Sequence, residues 1–515
     1  MNPRKTRISL AIAAAAVAAV AGYHLLRPGA APDPGPASSA AHAPAQASPA
    51  RRLGTLAFAP CTLSSPRSRQ SLEAQCTTLD VPEDRSRPDG RRIALNIAWL
   101  PATREADVAA DPVFFLAGGP GQAAVETYPA LDPVFSEVRK QRHVVLVDQR
   151  GTGRSNLLAC DAPDDGADDA SPAAMEAAAA ACAQALSARA DLRHYTTTDA
   201  VADLEAVREA IGAAQVNLVG VSYGTRVAQQ YAMRHPQRIR AIVLDSPVPN
   251  SVGLGNVFAR NLDDALALQF ALCAKEAACR DRLGDPRAAL DALLARLRDQ
   301  PVQVRYRDAT SGEPAEGTLT AETVAGLVRM YAYMPAAGAL LPKLIHEAAN
   351  GRYEDLMALA MMLRSEMHQS MAMGMQLSVV CSEDASSMVA RAEDEGTVLG
   401  NLMPLGMAAM CRAWPRGAVP DDFNRPLATD VPALVLAGEF DPVTPPRYGE
   451  EIARHLPNGR LFVLRGQGHN VIGAGCMPKL FAQFVEKADA GTLEGACLDD
   501  LAYVPPFTGF NGWEP

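Results

Sequence analysis

The sequence predicts an α/β fold: a doubly wound, mostly parallel sheet with an inserted helical cap. Three observations predict it. Short apolar runs bounded by Gly or Asp recur from about residue 90, as expected of strands covered on both faces. Segments with helical spacing alternate with them. That alternation stops near residue 250 and resumes near 430, which marks an insertion within one sheet.

At the N-terminus, Arg4, Lys5 and Arg7 precede an apolar run from Ile8 to Gly22. With Ala19-Val20-Ala21 as a small-x-small cleavage pattern, residues 1–21 read as a secretory signal. An uncleaved anchor is the competing reading, because apolar character resumes through Leu25 and Leu26. A membrane is an expected partner only in that case, with the protein facing outward. Residues 22–54, rich in Ala and Pro, read as a linker that cannot bury a core.

A first core segment is expected over 55–249. Within it, Arg92 to Leu100 reads as a strand, and Pro112 to Leu116, His143 to Val147, Val216 to Val219 and Ile239 to Leu244 read as short buried strands. Between strands, Asp199 to Ile211 places Leu204, Val207 and Ile211 at helical spacing. Residues 250–425 read as the helical cap, with helices over Asn261 to Cys279, Pro286 to Arg298, Ala321 to Tyr333 and Tyr353 to Met367. Thr320 suits the N-cap of the third. A second core segment follows over 426–487, with strands from Val431 to Leu436 and Arg460 to Leu464. Residues 488–515 form a tail expected to be tied back by a disulfide.

The net charge of -10 comes with no cluster of Lys and Arg in the predicted folded segments, so nucleic acid is excluded as a partner class. Ten cysteines in an exported chain imply disulfides. Metal-ligand spacings such as Cys-x-x-Cys are absent, so no metal or cofactor is expected. Pairing of sequential neighbours, 61–76, 160–182, 273–279, 381–411 and 476–497, would keep every closed loop local.

The strongest motif is Gly220-Val221-Ser222-Tyr223-Gly224. It lies between a predicted strand and a helical stretch from Arg226 to Arg234, the context of a nucleophile elbow. A serine hydroxyl needs a base to remove its proton. His469 is the candidate, in the loop Gly466-Gln467-Gly468-His469 after a strand. Asp441 is the expected acid that orients it, with Glu439 the competitor two residues earlier. An oxyanion hole would use the backbone N–H of Tyr223 and a second from Ala117-Gly118-Gly119-Pro120-Gly121. Gly119 is the expected second donor and Gly118 its neighbouring alternative.

With these residues in place, the chain resembles the proline iminopeptidase and tripeptidyl aminopeptidase-like family of α/β-hydrolase serine peptidases. The resemblance rests on Asp148 to Ser155 (DQRGTGRS), Gly220 to Thr225 (GVSYGT) and Gly438 to Pro445 (GEFDPVTP), and runs from about residue 55 to 510. Cys476 and Cys497 look like the exported tripeptidyl branch. Ala117 stands where proline iminopeptidases often carry His, which points away from the strict iminopeptidases. The resemblance implies the α/β-hydrolase fold and release of N-terminal residues or short peptides from a peptide or small acyl substrate. An ester or lactone hydrolase would use the same triad, and a catalytically silent binding protein is the alternative from another class. An exopeptidase must hold a free ammonium, and Glu383 and Asp384 are the candidates, unless they cap a helix near Ala385. Seven methionines between Met357 and Met375 suit either an adaptable substrate pocket or the cap core.

Overall fold

The computed structural model describes residues 51–65, 70–160 and 171–512. The expected leader, and the expected linker up to residue 50, lie outside the described residues. Arg51–Leu53 is already a strand (β1), so the last part of the expected linker belongs to the sheet.

Ten strands make one sheet among the described residues. In chain order they are β1, β2 (Leu56–Ser64), β3 (Ser71–Pro82), β4 (Arg92–Leu100), β5 (Val113–Leu116), β6 (Val144–Val147), β7 (Val216–Val221), β8 (Ile239–Asp245), and two that follow the cap. A separate hairpin, β9 (Val302–Arg307) and β10 (Pro314–Leu319), lies within the cap. The last two sheet strands are β11 (Ala433–Gly438) and β12 (Gly459–Leu464). Their spatial order is β1-β2-β3-β4-β6-β5-β7-β8-β11-β12. Pairing is antiparallel from β1 to β6 and parallel from β6 to β12.

Central strands β5, β6, β7 and β11 are buried at every residue, which is why they read as unbroken apolar runs. The first three strands were not anticipated. Two of them, β2 and β3, alternate buried with exposed side chains, and Glu73, Gln75, Thr77 and Thr78 dilute the apolar signal. The helix Thr197–Ala210 begins at a capping box made by Thr196 and Asp199, two residues before the expected start.

Two apolar cores cover the two faces of the sheet. A third belongs to the cap, built by Leu262, Leu266, Leu293, Val324, Leu344 and their neighbours. The expected cap does not pack as one body, however. Its second half, including Met375, Val379 and Trp414, joins a sheet core instead. Helix Met373–Glu383 is anchored there, with Ala372 N–H donating to Gly121 O at 3.0 Å and Gly374 N–H to Leu158 O at 2.8 Å. The methionines are divided accordingly. Met357 fills the cap core, Met375 the sheet core, and Met371 reaches toward the Gly118-Gly119 loop.

All ten cysteines pair as sequential neighbours, and Cys476–Cys497 ties the tail to helix Met477–Lys487. The chain reverses direction across the sheet between β5 and β7. Adjacent parallel strands whose connections leave in opposite directions open a crevice at their C-terminal ends.

Candidate active site

Both loops at that crevice carry residues singled out above. After β7 the chain turns sharply at Ser222, with φ 55° and ψ -123°, and enters helix Tyr223–Arg234. A non-glycine residue held at positive φ costs on the order of 1–3 kcal/mol, which the surrounding structure must supply. The flanking glycines are sterically required. A Cβ on Gly220 would lie 2.4 Å from Gly224 O, and one on Gly224 would lie 2.1 Å from Leu116 O. Close approach of β5 to the elbow therefore fixes the Gly-x-Ser-x-Gly spacing.

The loop after β5 rests against that elbow, since a Cβ on Gly118 would lie 3.2 Å from Ser222 Cβ. Gly119 and Gly121 adopt φ +111° and +112°. The backbone N–H groups of Gly119 and Tyr223 find no hydrogen-bond acceptor among the described residues. For Tyr223 this follows from its place in the first helical turn, where N–H groups lack intrahelical partners.

Asp441 and His469 come together from the loops after β11 and β12. Asp441 Oδ2 lies 2.8 Å from His469 Nδ1. The carboxylate also accepts from Val443 N–H at 2.9 Å, Thr444 N–H at 2.8 Å and Thr444 Oγ1–H at 2.9 Å. Burial pushes the Asp441 carboxyl up, but His469 and these donors outweigh it and hold it below its ordinary value. His469 is locked from the cap side: its N–H donates to Tyr333 O at 2.9 Å, and the Tyr333 ring meets the imidazole edge-on at 5.1 Å. Neither Ser222 Oγ nor His469 Nε2 has a hydrogen-bond partner among the described residues. Nδ1 is committed to Asp441, so Nε2 is the nitrogen left for chemistry.

Glu439, the competing acid, accepts from Gly466 N–H at 2.7 Å and Tyr503 O–H at 3.2 Å. It braces the loop that carries His469 and does not touch the imidazole. Thr444 and Tyr333 were not anticipated. The Asp-Pro-Val-Thr turn offered a signal for Thr444, because Asp side chains bond amides two or three residues ahead. Tyr333 lies more than a hundred residues away in the cap and carried no signal.

Glu383 and Asp384 end helix Met373–Glu383 with side chains 0% and 3% exposed. Their place is inside the protein, against the helix that follows Ser222, and not on an open face of the cap. Asp384 takes Arg226 Nη1 at 2.9 and 3.1 Å. Glu383 accepts from Thr197 N–H at 2.6 Å and Thr197 Oγ1–H at 2.9 Å. Thr197 Oγ1 in turn lies 2.7 Å from the Tyr223 hydroxyl, to which Gln149 donates at 3.0 Å. A substrate ammonium would have to displace these internal partners. The pair joins the elbow helix to the cap segment instead. Nor do they cap the short helical turn Ala385–Ser387 through side chains.

Burial raises the Glu383 carboxyl from 4.5 to about 8, with Asp384 adding to the rise and Arg226 and Thr197 opposing it. Between those values the folded protein keeps a proton that the unfolded chain has lost. Stability contributed by this group is therefore present at acid pH and lost as pH rises toward about 8. Glu383→Gln, which cannot ionise, is expected to flatten that part of the stability profile. Denaturation midpoints measured across the range test this, and parallel profiles for both proteins would contradict it.

Comparison with known proteins fits this geometry. The family described as alpha/beta hydrolase fold matches residues 111–473. Serine protease Hip1 of Mycobacterium tuberculosis is 29% identical over 466 residues, taking in 81% of this chain and 86% of that protein. The tripeptidyl aminopeptidase of Streptomyces lividans is 28% identical over 190 residues, 34% of this chain and 35% of that one. The proline iminopeptidase of Neisseria gonorrhoeae is 34% identical over 135 residues, 26% and 31% of the two chains.

Proposed function

We propose, from the premise that this chain belongs to the alpha/beta hydrolase fold family and is a serine hydrolase, that it is an exported exopeptidase acting through an acyl-enzyme on Ser222. The observation that carries the assignment of roles is the Asp441–His469 pair at 2.8 Å, presented at the same sheet edge as a serine on a strained elbow. Asp441 fixes the proton on Nδ1, leaving Nε2 as the base. His469 Nε2 then takes the Ser222 proton as Oγ attacks the acyl carbon. The N–H groups of Tyr223 and Gly119 hold the oxyanion. His469 returns its proton to the leaving amine, and a water activated by the same imidazole releases the acid. A protonated His469 is no base, so the rate is expected to fall toward acid pH.

Release of N-terminal residues or short peptides is supported by the matching stretches of relatives named tripeptidyl aminopeptidase and proline iminopeptidase. Export to the periplasm or medium is supported by five disulfides, which persist in oxidising compartments. A panel of aminoacyl and tripeptidyl chromogenic substrates, with free and blocked N-termini, tests the exopeptidase assignment. Free-amine peptides are expected to be cleaved at least about tenfold more efficiently than blocked ones, a difference of roughly 1.4 kcal/mol in transition-state binding. Equal rates on both would contradict the exopeptidase assignment, and turnover confined to esters would assign the site to a carboxylic-ester hydrolase.

A further inference from the structure

We propose that Asp245 and Ser246 form a positioning clamp that holds the nucleophile elbow and the His469 loop in register; this rests on Ser222 and His469 being nucleophile and base. Asp245 is the last residue of β8, which lies between β7 and β11. Its backbone carbonyl accepts the Ser222 N–H at 2.9 Å. Its carboxylate accepts from the loop after His469: Val471 N–H at 2.9 and 3.1 Å, and Ile472 N–H at 3.1 Å. Ser246 Oγ accepts the Asn470 N–H at 2.8 Å, while Ser246 N–H donates to Leu436 O of β11 at 2.8 Å. Two adjacent residues thus bond the amide of the nucleophile and the three consecutive amides that follow the base.

The arrangement is more than satisfied loop amides. Ser246 sits at φ 53°, a conformation that costs energy for any residue with a Cβ. That turn aims its hydroxyl and the Asp245 carboxylate at one short stretch of the His469 loop. Asp245 is completely buried and has no Lys or Arg partner among the described residues. The titratable groups facing it are His469 and Asp441. Burial raises its carboxyl to about 6, with Asp441 adding to the rise and the two amides and His469 opposing it. The ionised carboxylate is the better acceptor for both amides, and its negative charge favours the imidazolium that forms during catalysis. Serine-base geometry tolerates little error, since a misplacement of about 1 Å can cost on the order of a hundredfold in rate.

The test is the rate of labelling by a fluorophosphonate probe, corrected for the folded fraction, across the acid limb of the pH profile. Asp245→Asn keeps the shape but removes the charge and one acceptor. Its plateau rate is expected to fall on the order of tens of fold, and its acid limb to move to lower pH. Ser246→Ala removes the Oγ that accepts from Asn470 N–H and donates a long 3.4 Å bond to Asp245 Oδ1, and should slow labelling about fivefold, on the order of the worth of one hydrogen bond. A folded Asp245→Asn protein that labels at the wild-type rate with an unmoved acid limb overturns the clamp. Should that variant not fold, Ser246→Ala decides: an unchanged rate overturns the proposal and a slowed one supports it. Wild-type protein that takes no label at all would overturn the assignment of Ser222 itself, and the clamp with it.

Discussion

Ser222→Ala is expected to lower kcat by about a millionfold while leaving the protein folded. In the proposed mechanism the Ser222 Oγ is the atom that bonds to the acyl carbon. The other hydroxyls of the elbow helix, those of Tyr223, Thr225 and Tyr231, are buried and hydrogen-bonded inside the protein, Thr225 donating to Ser222 O. Alanine keeps the Cβ that already occupies this position, so the strain of φ 55° is unchanged and Gly220 and Gly224 still pack as before. The Ser222 Oγ has no hydrogen-bond partner among the described residues, so its removal leaves no orphaned donor or acceptor. Binding should survive, with substrate affinity changed by less than about threefold. Steady-state kinetics beside a thermal melt check both halves. A variant that keeps more than about a hundredth of the activity would place the nucleophile elsewhere.

Asp441→Asn has the second largest expected effect, a loss of about ten thousandfold in kcat. Asparagine fits the same volume and can still accept from the Val443 and Thr444 amides through its oxygen. Its NH2 then faces His469 Nδ1 in place of Oδ2. That contact favours the tautomer with the proton on Nε2, which cannot accept a proton from Ser222. Orientation is kept and chemistry is lost, a combination that a merely structural carboxylate would not give. Glu439→Gln is the matched comparison. Because the Glu439 side chain bonds only Gly466 N–H and Tyr503 O–H among the described residues, its substitution should cost less than about tenfold in kcat. Comparable losses at the two positions would remove the distinction drawn between them.

Much of this architecture was legible in the sequence, for a physical reason. Parallel strands covered on both faces must be apolar throughout, so β5, β6, β7, β8 and β11 stood out as runs between glycines and aspartates. The elbow was legible because Gly220 and Gly224 are forced by contacts with the backbone itself, leaving no freedom of residue type. Antiparallel β2 and β3 were hidden, since strands with one solvated face mix polar and apolar residues over a length that also suits a loop. The destination of helix Met373–Glu383 was equally hidden. Its apolar residues say that it is buried, but not whether cap or sheet buries it. Glu383 and Asp384 show the same limit for charge. Adjacent acids read as a solvent-facing pair, and only the folded chain brings Arg226 and Thr197 onto them. Asp245 was overlooked because a strand-ending aspartate is common, and its partners arrive more than two hundred residues later.

The most direct test of the central claim is to identify the residue that a fluorophosphonate modifies. Peptide mapping by mass spectrometry of the labelled protein should find a single adduct, on Ser222, that is absent when His469 is changed to alanine. An adduct on another serine, or modification of Ser222 that proceeds unchanged without His469, would contradict the account.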